Sequence, residues 1–192
     1  MSKGSVSSWN RVDLDAVPSQ PWRNGAGQTR ELAVWPSAQD WAWRISVAEV
    51  SASGPFSHWP GVKRWFAVLG GSGLSLQVGE TSHTLDTDSA PLSFDGALPC
   101  ACELQGGPTQ DLNLMLRQGR AEASMLRVKG RHSLQWTKPL TLAVYSAMGA
   151  ARLELDGELL ELPARCLVWR SLDAPAQVRL VSEHALWMEI ET

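Results

Sequence analysis

Disulfide chemistry is the first thing this chain does without: three cysteines, two of them Cys100 and Cys102, are too few for a bridged framework and favour a reducing compartment. Basic runs are missing too. With 17 Lys and Arg against 20 Asp and Glu the formal net charge is -3, and the electrostatic footprint of a nucleic-acid binder is absent, so DNA or RNA is not the expected partner. No window approaches the roughly 18 apolar residues of a membrane span. The polar start MSKGSVSSWN lacks the apolar stretch of a signal peptide. The expected setting is therefore cytoplasmic, with no membrane partner. Histidine is thin at four residues, and tyrosine and phenylalanine number one and three. Against these shortages stand ten tryptophans, at 9, 22, 35, 41, 43, 59, 65, 136, 169 and 187. Indoles bury large areas and suit β-surfaces. At 44% hydrophobic and 19% charged, with 11 Pro and 16 Gly, the composition is globular rather than disordered or low-complexity. A length of 192 residues is enough for a substantial core, in one large domain or two small ones.

Alternation of period two runs through the chain. In WAWRISVAEV, residues 41–50, Trp43, Ile45 and Val47 fall on one side and Arg44, Ser46 and Ala48 on the other, the pattern of a strand. Leu74, Leu76 and Val78 alternate with Ser75 and Gln77, and Leu153 and Leu155 with Arg152 and Glu154. Val78-Gly79-Glu80-Thr81 and Leu155-Asp156-Gly157-Glu158 read as two-residue hairpin turns, the second with the strong Asp-Gly signal. Helical periodicity is absent over any long stretch, and Arg120 to Val128 has room for a turn or two at most. The fold class is all-β. A shift of 77 residues lays Trp65, Ala67 and Leu69 on Leu142, Val144 and Ser146, then Leu76 and Val78 on Leu153 and Leu155, and Leu85 on Leu162. This reads as a structural repeat whose register fades beyond about residue 90. Two similar β-barrels follow, residues 1–118 and 119–192, divided in the polar stretch Gly119 to Gly130. Polar and glycine-rich signals concentrate in the first half, so the site is expected there.

Three segments carry candidate chemistry. Pro21 to Leu32 (PWRNGAGQTREL) packs an aromatic, two glycines and several short donors into one turn leading to a strand. Gly25 and Gly27 permit close approach of backbone to a ligand, and Asn24, Thr29 and nearby N–H groups suit an anion or carboxylate. The same residues also read as a strained connection that satisfies its own backbone. The segment is neither a dinucleotide fingerprint, lacking the third glycine and the helix, nor a P-loop. Gly54 to Trp65 (GPFSHWPGVKRW) is a Pro- and Gly-punctuated loop that delivers Ser57, His58, Lys63 and Arg64 beside two indoles. A guanidinium matches a carboxylate bidentately, so a small acid is the natural ligand of Arg64 or Arg44. The alternative is a surface loop with Arg stacked on Trp. Arg44, mid-strand, needs a partner if its face turns inward, and Glu31 or Glu49 is the candidate. In Asp111 to Arg117 (DLNLMLR), Asp111, Asn113 and Met115 share one side of a strand, a pattern that ordinarily marks a solvated face. The histidines at 58, 83, 132 and 184 are scattered singly, and Cys100 with Cys102 lacks a third ligand, so no metal is expected. Ser57 beside His58 is adjacency without a triad, and no Gly-x-Ser-x-Gly elbow occurs. His58 as an acid or base stays open.

Taken in order, Trp22-Arg23-Asn24-Gly25-Ala26-Gly27-Gln28-Thr29-Arg30-Glu31, Trp43-Arg44-Ile45-Ser46, Gly54-Pro55-Phe56-Ser57 with Pro60-Gly61 and Arg64, and Asp111-Leu112-Asn113-Leu114-Met115 resemble the motif series of the HutD/Ves family. The likeness is strong over residues 9 to about 117 and weaker beyond. It implies a bicupin, with two cupin-type, jelly-roll-like β-barrels in one chain. It also implies a bacterial protein associated with histidine utilisation, one that binds a pathway acid such as N-formylglutamate, restrains the pathway, and is not an established enzyme. The His-x-His-plus-carboxylate pattern of metal-binding cupins is absent, so the implied barrel holds neither metal nor cofactor. The matched positions make up the implied ligand site: Trp22, Asn24, Gly25, Gly27, Thr29, Glu31, Arg44, Ser46, Ser57, Gly61, Arg64, Asp111 and Asn113, with His58 beside them. His58 and Lys63 depart from the residues the family leads one to expect. Two readings from other classes stand beside this one. The first is a metal-independent enzyme acting on a small acidic substrate, with Glu31 or His58 as acid or base. The second is a stress-response interaction protein whose tryptophans dock a partner. An exposed barrel edge allows a homodimer, which nothing in the sequence demands.

Overall fold

The computed structural model describes residues 8–173 and 175–192. Among these there is no α-helix, and one 3-10 turn, Leu14–Ala16, accompanies the strands. In chain order the strands are β1 Asn10–Asp13, β2 Gln20–Pro21, β3 Gly27–Trp35, β4 Trp43–Val50, β5 Gly54–Pro55, β6 Val62–Gly70, β7 Leu74–Val78, β8 Thr81–Leu85, β9 Leu92–Asp95, β10 Cys100–Leu104, β11 Thr109–Arg117, β12 Glu122–Trp136, β13 Leu140–Leu155, β14 Glu158–Leu162, β15 Cys166–Leu172 and β16 Ala176–Glu191. The segment that had room for a helical turn is thus strand: its Met125 and Val128 are buried while Glu122, Ser124 and Leu126 are exposed. Among the described residues no helix is long and apolar enough to cross a membrane.

The chain divides into two compact units, one spanning Ala16–Glu122 and the other joining the residues up to Asp15 to Ala123–Thr192. The first strand therefore goes with the second unit, whereas the sequence grouped residues 1–118 together. β1 pairs antiparallel with β15, Asn10 facing Trp169 and Asp13 facing Cys166.

In the unit Ala16–Glu122, a six-stranded sheet has the order β2-β3-β4-β11-β6-β9 and a four-stranded sheet the order β5-β10-β7-β8. The hydrophobic effect closes the gap between them. Ala48, Val50, Phe66 and Val68 from the first sheet cluster with Leu74, Leu76, Val78, Cys100 and Cys102 from the second. The predicted alternation in β4 is present, with Trp43, Ile45 and Val47 on one side and Arg44, Ser46 and Ala48 on the other, but both sides are largely covered. β4 and β11 lie side by side within the sheet, so their polar residues face inward rather than to water. Asp111 is fully buried and Asn113 nearly so, which overturns the solvated-face expectation for β11.

In the other unit the sheet order is β1-β15-β13-β16-β12, with β14 added to β13. The hairpin expected at Asp156-Gly157 is there: Leu155 faces Glu158, and φ is 47° at Asp156 and 89° at Gly157. Two consecutive residues with positive φ are what a tight hairpin with the right twist requires, and Asp-Gly reaches that backbone at low cost. The hairpin at Gly79-Glu80 also closes on two residues, Val78 facing Thr81, with positive φ at Gly79 (54°) and not at Glu80. Offset by 77 residues, β8 falls on β14, as the repeat predicted. The preceding strand is out of phase. Leu140, Leu142 and Val144 point into the core with Ala151, Leu153 and Leu155, whereas Phe66 and Val68 are the inward residues of β6, so an offset of 77 is one residue out of phase there. The phase changes within β13, whose pairing with β16 shifts register between Ser146 and Met148 and again between Met148 and Ala151.

Candidate functional site

A cavity of about 670 Å3 opens in the unit Ala16–Glu122, and five stretches of chain wall it. The β2–β3 hairpin supplies Trp22, Arg23, Asn24, Thr29 and Glu31; β4 supplies Arg44 and Ser46; the stretch following β5 supplies Phe56, Ser57 and Trp59; β6 supplies Arg64 and Phe66; β11 supplies Asn113 and Met115. Strand register explains the grouping. Asn113 sits between Ser46 on β4 and Phe66 on β6, and Met115 between Arg44 and Arg64, so side chains of one pleat face converge.

Arg64 is the electrostatic centre of the wall. It is 7% exposed, its Nη2 donates to Asn113 Oδ1 at 2.6 Å, and its guanidinium lies 5.1 Å from the Phe94 ring and 5.7 Å from that of Phe56. Its Nε finds no acceptor, and no carboxylate among the described residues pairs with it. Burial pulls its pKa below the ordinary value, yet arginine keeps its proton at any physiological pH. Burial also pushes the neighbouring Cys100 thiol up to about 11, against the opposing pull of Arg64, so it stands there uncharged.

Arg44 differs. Its Nη2 lies 2.9 Å from Glu31 Oε2, and its guanidinium is flanked by the indoles of Trp41 at 5.8 Å and Trp59 at 5.7 Å. Of the two partners the sequence offered, Glu31 takes the role, while Glu49 is engaged by Arg30 and by Gln28. The hairpin is held by its own side chains. The Trp22 indole donates to Thr29 Oγ1 at 2.7 Å and meets Phe56 edge-on at 5.9 Å, and Asn24 Oδ1 accepts from the Ala26 amide at 3.1 Å. Gly27 has no room for a side chain, since a Cβ would lie 2.4 Å from the Glu49 carbonyl oxygen and 3.2 Å from the Trp22 ring.

Nine of the sequence-derived site residues meet in this cavity: Trp22, Asn24, Thr29, Glu31, Arg44, Ser46, Ser57, Arg64 and Asn113. Five do not. Gly25 and Gly27 line a second, shallower cavity of about 560 Å3 together with Gln28, Glu49 and Thr109. His58 and Gly61 are exposed and line neither cavity. Asp111 lies on the inward face next to Asn113 but away from the wall, its Oδ2 accepting from the Thr109 hydroxyl at 2.9 Å and its Oδ1 unpartnered. Burial pushes its carboxyl up to about 7. Conversely, Arg23, Phe56, Trp59, Phe66 and Met115 line the cavity but were not among the site residues named from the sequence, although Met115 was placed on the face of Asp111 and Asn113. Phe66 and Met115 were within reach, because period two places them on the faces of Arg64 and Asn113.

Against known proteins, the sequence profile described as HutD matches residues 14–188, nearly the whole chain. The chain belongs to the HutD family. It is 31% identical over 143 residues to an uncharacterised 21.2 kDa protein in the hutC 3′ region of Pseudomonas putida, a match covering 73% of this chain and 74% of that one. It is 38% identical over 116 residues to protein Ves of Citrobacter koseri, covering 59% of this chain and 60% of Ves, so it spans about three fifths of the Ves relatives it matches. Among solved structures, a conserved protein of unknown function from Pseudomonas aeruginosa PAO1 is 28% identical, with a TM-score of 0.87 over 97% of this chain and 100% of that one. HutD from Pseudomonas fluorescens SBW25 superposes with a TM-score of 0.83 at 24% identity over 95% of this chain and 98% of its own. The oxalate decarboxylase of Bacillus subtilis superposes at 0.65 and 11% identity over 97% of this chain and 78% of its own. Likeness at such low identity shows fold alone, and the fold is the all-β bicupin.

Cupin barrels can hold a metal, and the HutD-type cavity found here does not fit one. Its wall carries three guanidinium groups, no imidazole and one carboxylate, Glu31, already paired with Arg44. Among the described residues, no three His, Cys, Asp or Glu side chains converge elsewhere.

Proposed function

We propose that the chain binds a small acidic metabolite in the Arg64 cavity, N-formylglutamate or a related acid of histidine breakdown, and serves the pathway as a modulator rather than as its catalyst. One observation carries the reading: a guanidinium that is 7% exposed, lines a cavity and has no carboxylate partner among the described residues. An uncompensated buried charge is costly, and a carboxylate ligand supplies the missing counter-ion with charge-assisted hydrogen bonds. Asn113, held against Arg64, and Thr29, Ser46 and Ser57 on the same wall suit the remaining oxygens or an amide. The family's association with histidine utilisation supports the choice of acid, and three free thiols suit a reducing cytoplasm. Glu31 is neutralised by Arg44, and His58 lies off the wall, which favours binding over proton transfer.

The test is thermal denaturation with N-formylglutamate, N-formiminoglutamate, urocanate, glutamate and formate, alongside Arg64→Ala. A ligand that binds only the folded chain at 100 times its Kd adds about 2.7 kcal/mol of apparent stability. A selective rise with one acid, lost in Arg64→Ala while the variant still unfolds cooperatively, is the expected result. No rise with any acid, or an equal rise in the variant, refutes it.

A further inference from the structure

The three guanidinium groups of the cavity are not equivalent. Arg44 is neutralised where it stands by Glu31. Arg64 at depth and Arg23 on the exposed hairpin tip pair with no carboxylate among the described residues, and both line the wall. Glu31 is the one carboxylate among the lining residues, so the cavity carries two uncompensated positive charges, one buried and one in contact with water.

The backbone that carries Arg23 is fixed on both sides. The Trp22 amide donates to the Gly27 carbonyl at 2.9 Å and the Gly25 amide to the Trp22 carbonyl at 3.1 Å, closing the turn. Asn24 caps the Ala26 amide, and the Trp22 indole is tied to Thr29 and packed against Phe56. The result is a firm rim presenting a long, exposed cation that its own fold does not use.

We propose that Arg23 is a second anion-binding residue, and that Arg64 and Arg23 together select a dicarboxylate, with one acidic group held at depth and the other at the mouth, over a monocarboxylate of equal chain length. This rests on the reading of Arg64 as an anion site. A monocarboxylate compensates Arg64 and leaves Arg23 in water, where it loses nothing. A dicarboxylate gains a second charge-assisted contact at the rim. Arg44 cannot serve that second group without surrendering Glu31. Because the rim contact is solvated, its contribution weakens with salt, while the buried contact at Arg64 is far less screened.

The experiment is calorimetric titration of the full chain with malonate, succinate, glutarate and adipate, each against the monocarboxylate of equal carbon number. It compares the native chain with Arg23→Ala, Arg23→Lys and Arg64→Ala. Titrating four chain lengths reads out the separation of the two cations. The expected result is one length binding about tenfold tighter than its monocarboxylate, with the gap reduced to about threefold or less in Arg23→Ala, partly restored in Arg23→Lys, and narrowed by salt. Monocarboxylate affinity falls less than dicarboxylate affinity in Arg23→Ala, and Arg64→Ala loses both classes. Equal affinity for the two classes in the native chain, or a gap that survives Arg23→Ala, overturns the role of Arg23 and leaves the Arg64 site standing. Failure of every acid to bind the native chain overturns both.

Discussion

Asp111 shows what a single buried carboxyl does to the whole pH profile. Its folded pKa is pushed up to about 7 by burial, against an unfolded value near 4, so the folded chain holds the proton more tightly. Its contribution to stability is therefore fully present below about pH 4, falls as pH rises to about 7, and is level above that. Asp111→Asn keeps an acceptor for the Thr109 hydroxyl and removes the charge. Denaturant unfolding of this variant between pH 4 and 8 is expected to lose that slope and to exceed the native chain at pH 8 by up to about 4 kcal/mol. A slope that persists in the variant assigns the titration to other groups. The sequence placed Asp111, Asn113 and Met115 on one face correctly, because period two is a property of the strand itself. It did not reveal that the face turns inward, because that depends on β4 and β6 flanking β11 on both sides, and no local pattern records the neighbours.

At the scale of elements, the β2–β3 hairpin joins fold to site through Gly27. A methyl group there meets the Glu49 carbonyl and the Trp22 ring, so Gly27→Ala is expected to lower stability by about 1–3 kcal/mol and to weaken acid binding by displacing Trp22 from Thr29. Calorimetry and titration of the same sample check the two effects together, and a stable variant with unchanged binding contradicts the geometry. The two glycines of this hairpin were legible in the sequence as a site of close approach. Gly27 approaches the protein's own backbone and indole, whereas Gly25 has open space around it and serves the turn through its φ of 70°. The repeat shows a similar limit. Hairpins β7–β8 and β13–β14 sit at the offset read from the sequence, but the one-residue slip ahead of them was invisible, because both faces of β13 are apolar there: Leu142, Ala143, Val144 and Tyr145 are all buried. A strand covered on both sides has no alternation to fix its phase. Arg120 to Val128 was open to a helical turn because Glu-Ala-Ser-Met-Leu carries good helix formers, and pairing with β16 overrode that preference.

For the whole molecule, the β-strand class and the repeat were legible, while the partition of the chain was not. The sequence suggests a single cut, but Leu14 is fully buried, its amide donates to the Arg165 carbonyl at 2.9 Å, and Arg165 grips Asp15 through Nε and Nη2. Such pairing over 150 residues leaves no local trace. Leu14→Ala is therefore expected to cost about 2–5 kcal/mol in the unit containing β15, and to speed amide exchange over Cys166–Trp169. Exchange in β4 and β11, and acid binding at Arg64, are expected to stay unchanged. Loss of protection in those strands instead would show that the first residues support the other unit.

The pairing of the buried arginines bears on how many equivalents of acid the proposed binding would take up per chain. In the unit Ala16–Glu122 the buried Arg64 pairs with no carboxylate among the described residues, whereas the buried guanidinium of the other unit, Arg170, lies 2.8 Å from Glu158. One unit thus offers an anion an open guanidinium, and the other a guanidinium already engaged. A calorimetric isotherm should close at a stoichiometry of one per chain. A value of two would mean that Arg170 also takes an anion in place of Glu158.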